Sequence, residues 1–174
     1  MPLSKYAPQA ATHRRTQSAI LEGAKHLIAT VGLAKMSMIE IADISEVSRA
    51  TLYNHYRDKE SVLAALCDLE LRRLVAIAKN ASHPTDALEA LSIAVSGDAA
   101  LAHMRTNDPA PLAQAMAATS NPMWIQFNES LALILGSQVL ADLAIRWLVG
   151  QGIQPITPDD SRLQAEFLFS RANI

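Results

Sequence analysis

The run Ser37-Met38-Ile39-Glu40-Ile41-Ala42-Asp43-Ile44-Ser45-Glu46-Val47-Ser48-Arg49-Ala50-Thr51-Leu52-Tyr53-Asn54-His55-Tyr56 decides how this chain folds. Ser37 stands three residues before Glu40, the capping-box spacing in which each side chain satisfies a free backbone N–H at a helix start. It predicts a short helix over residues 38–44. Ser48 is a second N-cap candidate and opens another short helix to about residue 56. Ile41 and Ala42 face inward from the first helix, Val47 closes the turn, and Leu52 packs from the second. The small side chain of Ala42 permits the close crossing that a helix-turn-helix requires.

That packing leaves Arg49, Ala50, Thr51, Tyr53, Asn54 and His55 on the outer face of the second helix. The DNA major groove admits one helix with its side chains. Arginine pairs with guanine edges and asparagine with adenine, while the methyl groups of Ala and Thr meet thymine. Hydroxyls, histidine and lysine suit phosphate oxygens.

Working outward, Ile20, Leu21, Ala24, Leu27, Ile28 and Val31 make one helical stripe from Arg15, stopped by Gly32 as a left-handed residue. Residues 1–14, with Pro2 and Pro8 and no apolar period, read as a flexible arm. Asp58 caps a long helix over 59–80, which Pro84 ends. Further helices are expected over 85–95, 98–106, 110–119, 122–150 and 158–173, the last opened by Thr157-Pro158-Asp159-Asp160. The expectation is an all-α chain of about nine helices: an arm over 1–14, a head over 15–58 and a second domain over 59–174.

The stretch Ile20…Ala24…Gly32…Ser37-Met38…Ile41-Ala42…Val47-Ser48-Arg49-Ala50-Thr51-Leu52-Tyr53-Asn54-His55-Tyr56…Lys59-Glu60 resembles the DNA-binding head of TetR-family transcriptional regulators, over about residues 16–66. The resemblance implies a cytoplasmic, all-helical homodimer whose second domain senses a ligand and dimerises. It implies that Arg49, Ala50 and Thr51 meet bases or nearby backbone. Tyr53, His55 and Lys59 would hold phosphates, Asn54 would serve either role, and Ser37 and Ser48 cap the two helices at the DNA. Tyr56 matches the aromatic packed inside the head. Arg14 and Arg15 are candidates for minor-groove contact from the arm, a habit of basic arms. Where the family has Ala-Gly before Val-Ser, this chain has Ser45-Glu46. A side chain in a left-handed turn costs about 1–2 kcal/mol, and Glu46 adds negative charge near the expected phosphates, so weaker binding is expected.

Composition narrows the class. Half of the 174 residues are hydrophobic, enough to exclude a disordered chain. The single cysteine, Cys67, excludes a disulfide framework and a cysteine-based zinc site, and is expected as a buried, inert thiol. No apolar run reaches the roughly 18 residues of a membrane span, and the N-terminus lacks a signal-like stretch, so no membrane partner and a cytoplasmic location are expected. The net charge of −2 conceals a split: residues 1–60 carry eight Lys and Arg against six acids, net +2, leaving net −4 for the rest. A basic excess on one part of a chain points to nucleic-acid or membrane contact there, and one this small decides nothing by itself.

No glycine-rich phosphate loop, nucleophile elbow or paired carboxylates are present, and the histidines lack metal-site spacing, so no enzyme activity, cofactor or metal is expected. On a single helix over 122–150, Val139, Leu140, Leu143, Ala144, Trp147 and Leu148 form one apolar face, yet Leu131, Ile134, Leu135, Ile145 and Val149 fall near the opposite one. A helix apolar nearly all round needs cover on more than one side. A second subunit would supply it, with Val139, Leu143, Trp147, Leu163 and Phe167 in a four-helix seam. Met104, Met116, Met123, Trp124 and Phe127 are candidates to line a pocket for a small apolar or amphipathic effector. The expected activity is that of a homodimeric, ligand-responsive repressor on a pseudo-palindromic double-stranded operator. The alternative is a helical interaction module whose head docks a protein.

Overall fold

The computed structural model describes residues 6–117 and 121–172. Among them every regular element is an α-helix, ten in all. In order these are α1 (Tyr6–Thr30), α2 (Met38–Ile44), α3 (Arg49–His55), α4 (Lys59–Lys79), α5 (Pro84–Ser96), α6 (Ala99–Asn107), α7 (Pro109–Ala117), α8 (Pro122–Leu135), α9 (Gln138–Ile153) and α10 (Pro158–Ala172). The chain divides into two compact units, the first ending at Cys67 and the second beginning at Asp68.

In the first unit the stripe on α1 is the buried one: Ile20, Leu21, Ala24, Leu27 and Ile28 are all buried, with Ile41, Ala42 and Leu52 fully so. Helices α1 and α2 pack together, as do α2 and α3. Gly23 makes the first approach possible, because a Cβ there would overlap Ser45 Oγ and lie 2.8 Å from Ile44 Cγ2. Gly32 takes a positive φ of 91°, the expected left-handed stop. Val62 and Leu66 of α4 are buried, and the Lys59 ammonium donates to Leu33 O. The first turns of α4 therefore belong to this unit, which runs nine residues beyond the expected boundary at 58.

Two expectations for this region change. Residues 6–14, expected in an arm, are the first turns of α1; Pro8 is tolerated because a proline near a helix start lacks only an N–H that has no intrahelical partner. Residues 1–5 of the expected arm lie outside the described residues. Cys67 is exposed; it falls about 100° round the helix from buried Leu66, which turns it off the apolar face.

The second unit is built on α5, α8, α9 and α10. Its core includes Leu88, Leu91, Phe127, Leu131, Leu140, Ala144, Leu148 and Ala165. A buried polar cluster ties three of these helices: Ser92 Oγ of α5 lies 2.7 Å from both Gln151 of α9 and Ser161 Oγ of α10. Such groups hold a unique packing because each is satisfied by another.

The single helix expected over 122–150 is two. Gly136 adopts φ 72°, left-handed, and Ser137 Oγ accepts from Leu140 N at 3.2 Å to start α9. The chain folds back, α8 packs against α9, and Leu131, Leu135 and Ile145 are buried within the subunit. The apolar residues that looked surplus on one long helix thus find cover inside the chain. The expected helix ends at 119 and 173 lie outside the described residues.

Candidate nucleic-acid interface

Local hydrogen bonds set the helix-turn-helix. Ser37 Oγ accepts from Glu40 N at 3.3 Å, and Ser37 N donates to Glu40 Oε2 at 2.8 Å, completing the capping box read from the sequence. In the turn, Glu46 N donates to Asp43 O and Val47 N to Ala42 O. Glu46 itself has φ 54°, the only non-glycine residue at positive φ among those described. The turn keeps its left-handed step and Glu46 carries the strain of it. Ser45 Oγ, also a departure from the family pattern, is buried without a hydrogen-bond partner.

Helix α3 opens on Ser48, whose Oγ accepts from Thr51 N at 3.0 Å and lies 2.8 Å from Thr51 Oγ1. The two hydroxyls therefore engage each other at the helix start. Leu52 is fully buried and anchors the helix, turning Arg49, Ala50, Tyr53 and Asn54 outward, all exposed. Tyr56 is buried, as the resemblance implied. Arg49, Ala50, Tyr53 and Asn54 thus share one exposed surface, whereas Thr51, His55 and Lys59 are half-buried and the Lys59 ammonium donates to Leu33 O.

The C-terminal end of α3 brings in a residue that sequence reasoning missed. His55 is half-buried and its ring stacks on that of His13, with centroids 4.2 Å apart and planes 22° from parallel. Burial, and secondarily the charge of His13, push the His55 imidazole below the usual histidine range. A histidine in a segment taken for an arm carries no sequence signal of this pairing. Beyond α3, Asp58 Oδ1 accepts from Ser61 N at 2.9 Å to cap α4. Asp58 also pairs with Arg57 Nε at 2.9 Å. The Ser61 backbone N–H, then Arg57, hold its carboxyl below the ordinary range.

Arg14 and Arg15 are exposed on α1, beside Ala11, Ser18 and Glu22 along a shallow depression. The arm that would carry them into a minor groove is helical here, and a helix about 10 Å across is wider than that roughly 6 Å groove.

In the second unit, a depression of about 450 Å³ is lined by Trp124, Ile125, Asn128, Glu129, Gln138, Asp142, Ile145 and Arg146. Asn128 and Gln138 donate to Asp142 Oδ1 at 2.8 and 3.0 Å, holding that carboxyl below its usual range. Of the five residues expected in an effector pocket, only Trp124 lines this depression. Phe127 is buried in the core with its ring against Trp124, Met116 lies against Gly152 of α9, and Met104 and Met123 are half-buried. The expected seam residues divide differently: Val139, Leu143, Leu163 and Phe167 are exposed. Trp147 is half-buried and its Nε1 donates to Gln164 Oε1 at 2.7 Å.

The head defines the class: a helix-turn-helix whose second helix, α3, carries an exposed polar face, in a chain whose regular elements among the described residues are all helices. Residues 20–66 match the family model described as bacterial regulatory proteins, tetR family. Over those residues the chain is similar to the head of that family, and the whole chain has the fold of TetR-family transcriptional regulators of known structure.

Solved structures agree on the fold. The dihydroxyacetone kinase operon activator DhaS is 14% identical with a TM-score of 0.63, the match covering 90% of this chain and 95% of that one. A TetR family transcription regulator from Marinobacter aquaeolei VT8 is 18% identical, covering 92% and 97%, with a TM-score of 0.59. A TetR transcriptional regulator from Rhodococcus sp. RHA1 is 20% identical, covering 90% and 94%, with a TM-score of 0.60. No curated protein matches the sequence. Among the described residues, no helix is long and apolar enough to cross a membrane.

Proposed function

We propose that this chain is a cytoplasmic, homodimeric, ligand-responsive transcriptional regulator, acting as a repressor, that inserts α3 into the DNA major groove. The observation that carries the reading is α3 itself, with Leu52 anchoring it and Arg49, Ala50, Tyr53 and Asn54 exposed together. Arg49 and Asn54 supply the bidentate groups that distinguish guanine and adenine edges. Tyr53, His55, Lys59 and the α1 arginines are assigned to phosphates, Ala50 and Thr51 to bases or nearby backbone, and the capping hydroxyls of Ser37 and Ser48 to the backbone at the starts of α2 and α3.

Dimerisation is supported by a stripe that the subunit leaves exposed except at half-buried Trp147. Val139, Leu143 and Trp147 are spaced i, i+4, i+8 on α9, and Leu163 and Phe167 i, i+4 on α10, a helix packed beside it. Val139 is 66% and Phe167 62% exposed, an arrangement suited to a symmetric four-helix seam. Two heads would then meet successive major grooves about 34–36 Å apart. The proposed effector is a small amphipathic molecule in the second unit. There the Trp124 and Ile145 surfaces adjoin the Asn128–Asp142–Gln138 cluster. Its binding would favour a head spacing that no longer fits the operator.

An electrophoretic shift on duplexes from the DNA flanking the gene tests the reading. Saturable binding that weakens steeply with salt is expected of a DNA reader. Protein capture without any salt-sensitive shift would leave the head as a protein-docking surface.

A further inference from the structure

We propose that His13 is a positioning residue of the DNA interface: stacked on His55, it holds that ring at the end of α3 for a phosphate oxygen and couples DNA binding to proton uptake by His55. The inference rests on the DNA-binding reading above. Its basis is the ring stack itself, 4.2 Å between centroids at 22°, which joins α1 to the last residue of α3. A histidine offered to phosphate through a half-buried, packed ring is restricted in orientation, where one free on a helix surface is not. Near-parallel stacking also excludes a shared metal ion between the rings, since each nitrogen lone pair lies in its own ring plane.

The electrostatics supply the coupling. From α1 the titratable group facing His55 is His13, followed in sequence by the fixed charges of Arg14 and Arg15. From its own turn the neighbour is the Tyr56 ring at 6.3 Å, and Arg57 beyond it is engaged by Asp58 at 2.9 Å. Burial first, and then the charge of His13, hold the His55 imidazole below the usual histidine range. A phosphate oxygen favours the protonated ring, so the bound complex draws a proton that the free head resists. By linkage, affinity rises as pH falls from the bound-state value towards the free-state one. Each unit of difference between the two contributes about tenfold per head.

Phosphate contact is independent of sequence, so a random-sequence 30-base-pair duplex serves as the probe, at constant ionic strength and from about pH 8 to pH 6. The native protein is expected to bind about tenfold or more tightly at the acid end. His55→Gln should abolish the pH dependence and weaken binding mainly at low pH. His13→Gln should flatten the pH profile, because His55 then protonates more readily in the free head. A purely structural role would instead lower affinity by one factor at every pH. Ring-proton NMR titration of the native protein is a check that no variant's folding can confound. His55 should titrate below ordinary histidines in the free protein and shift upward when the duplex is added. Salt-sensitive binding that is flat with pH, or an unchanged slope in His13→Gln, overturns the proposal while sparing the DNA-binding reading. An absence of duplex binding at every pH and at low salt overturns both.

Discussion

Replacing Glu46 by glycine isolates the cost of the turn between α2 and α3. Glu46 sits at φ 54°, where a side chain costs about 1–2 kcal/mol that glycine does not incur. Glycine returns part of that gain, about 0.5–1 kcal/mol, by loosening the unfolded chain. The net expectation for Glu46→Gly is a head more stable by about 0.5–1 kcal/mol. Glu46→Ala is the control, because alanine keeps the Cβ in the left-handed turn and removes only the charge; its stability should stay close to that of the parent. Both tryptophans, Trp124 and Trp147, lie in the second unit, so fluorescence reports on the wrong part of the molecule. Native-state hydrogen exchange of the α2 and α3 amides reads the head directly. On DNA the two variants should behave alike, each binding a random duplex more tightly at low salt through loss of one negative charge. If Glu46→Ala protects the head as much as Glu46→Gly, backbone strain is not the cause and the reasoning fails.

Arg49→Ala should cost about 1–3 kcal/mol on a preferred duplex and relax sequence preference; an equal loss on random DNA would place Arg49 on phosphates instead. Leu143→Asp puts a charge into the exposed α9 stripe and is expected to shift the protein to monomer in sedimentation velocity, with helicity retained by circular dichroism. In acid, the α4 cap should fail in a defined direction. The folded Asp58 carboxyl lies below its ordinary value, so its contribution is present above the unfolded value and is lost as pH falls through the folded one. The Ser61 amide protection factor should therefore drop in acid in the parent and much less in Asp58→Asn, whose neutral side chain still accepts the Ser61 N–H.

Much of the head is legible in the amino-acid sequence because its determinants are local. Ser37 with Glu40, Ser48 with Thr51, and Asp58 with Ser61 are each three residues apart and close within one helical turn. The α1 stripe repeats at the helical period and is the buried face. These signals place α2, α3 and the start of α4 without reference to the rest of the chain. The resemblance to a known head adds roles that spacing alone does not supply.

What escaped is what depends on residues distant in sequence or on a break that periodicity conceals. Gly136-Ser137 carries the signature of a helix stop followed by a cap, but apolar residues on either side preserve an approximate helical rhythm across it. The fold-back of α8 on α9 then determines which apolar side chains are covered: Leu131 and Leu140 turn inward while Val139 and Leu143 remain exposed. Composition could count the apolar residues but not assign their partners. Pro8 read as the mark of an arm because a proline is compatible with both a loop and a first helical turn. Helix α1 therefore began earlier than expected and brought His13 to the end of α3. Helices α2 and α3, their caps and the outward face of α3 follow from the sequence alone, since short-range hydrogen bonds and a 3.6-residue period suffice to specify them. The tertiary structure alone decided the Gly23 crossing, the two-helix fold-back and the His13–His55 stack, because each depends on surfaces that meet only when distant segments pack.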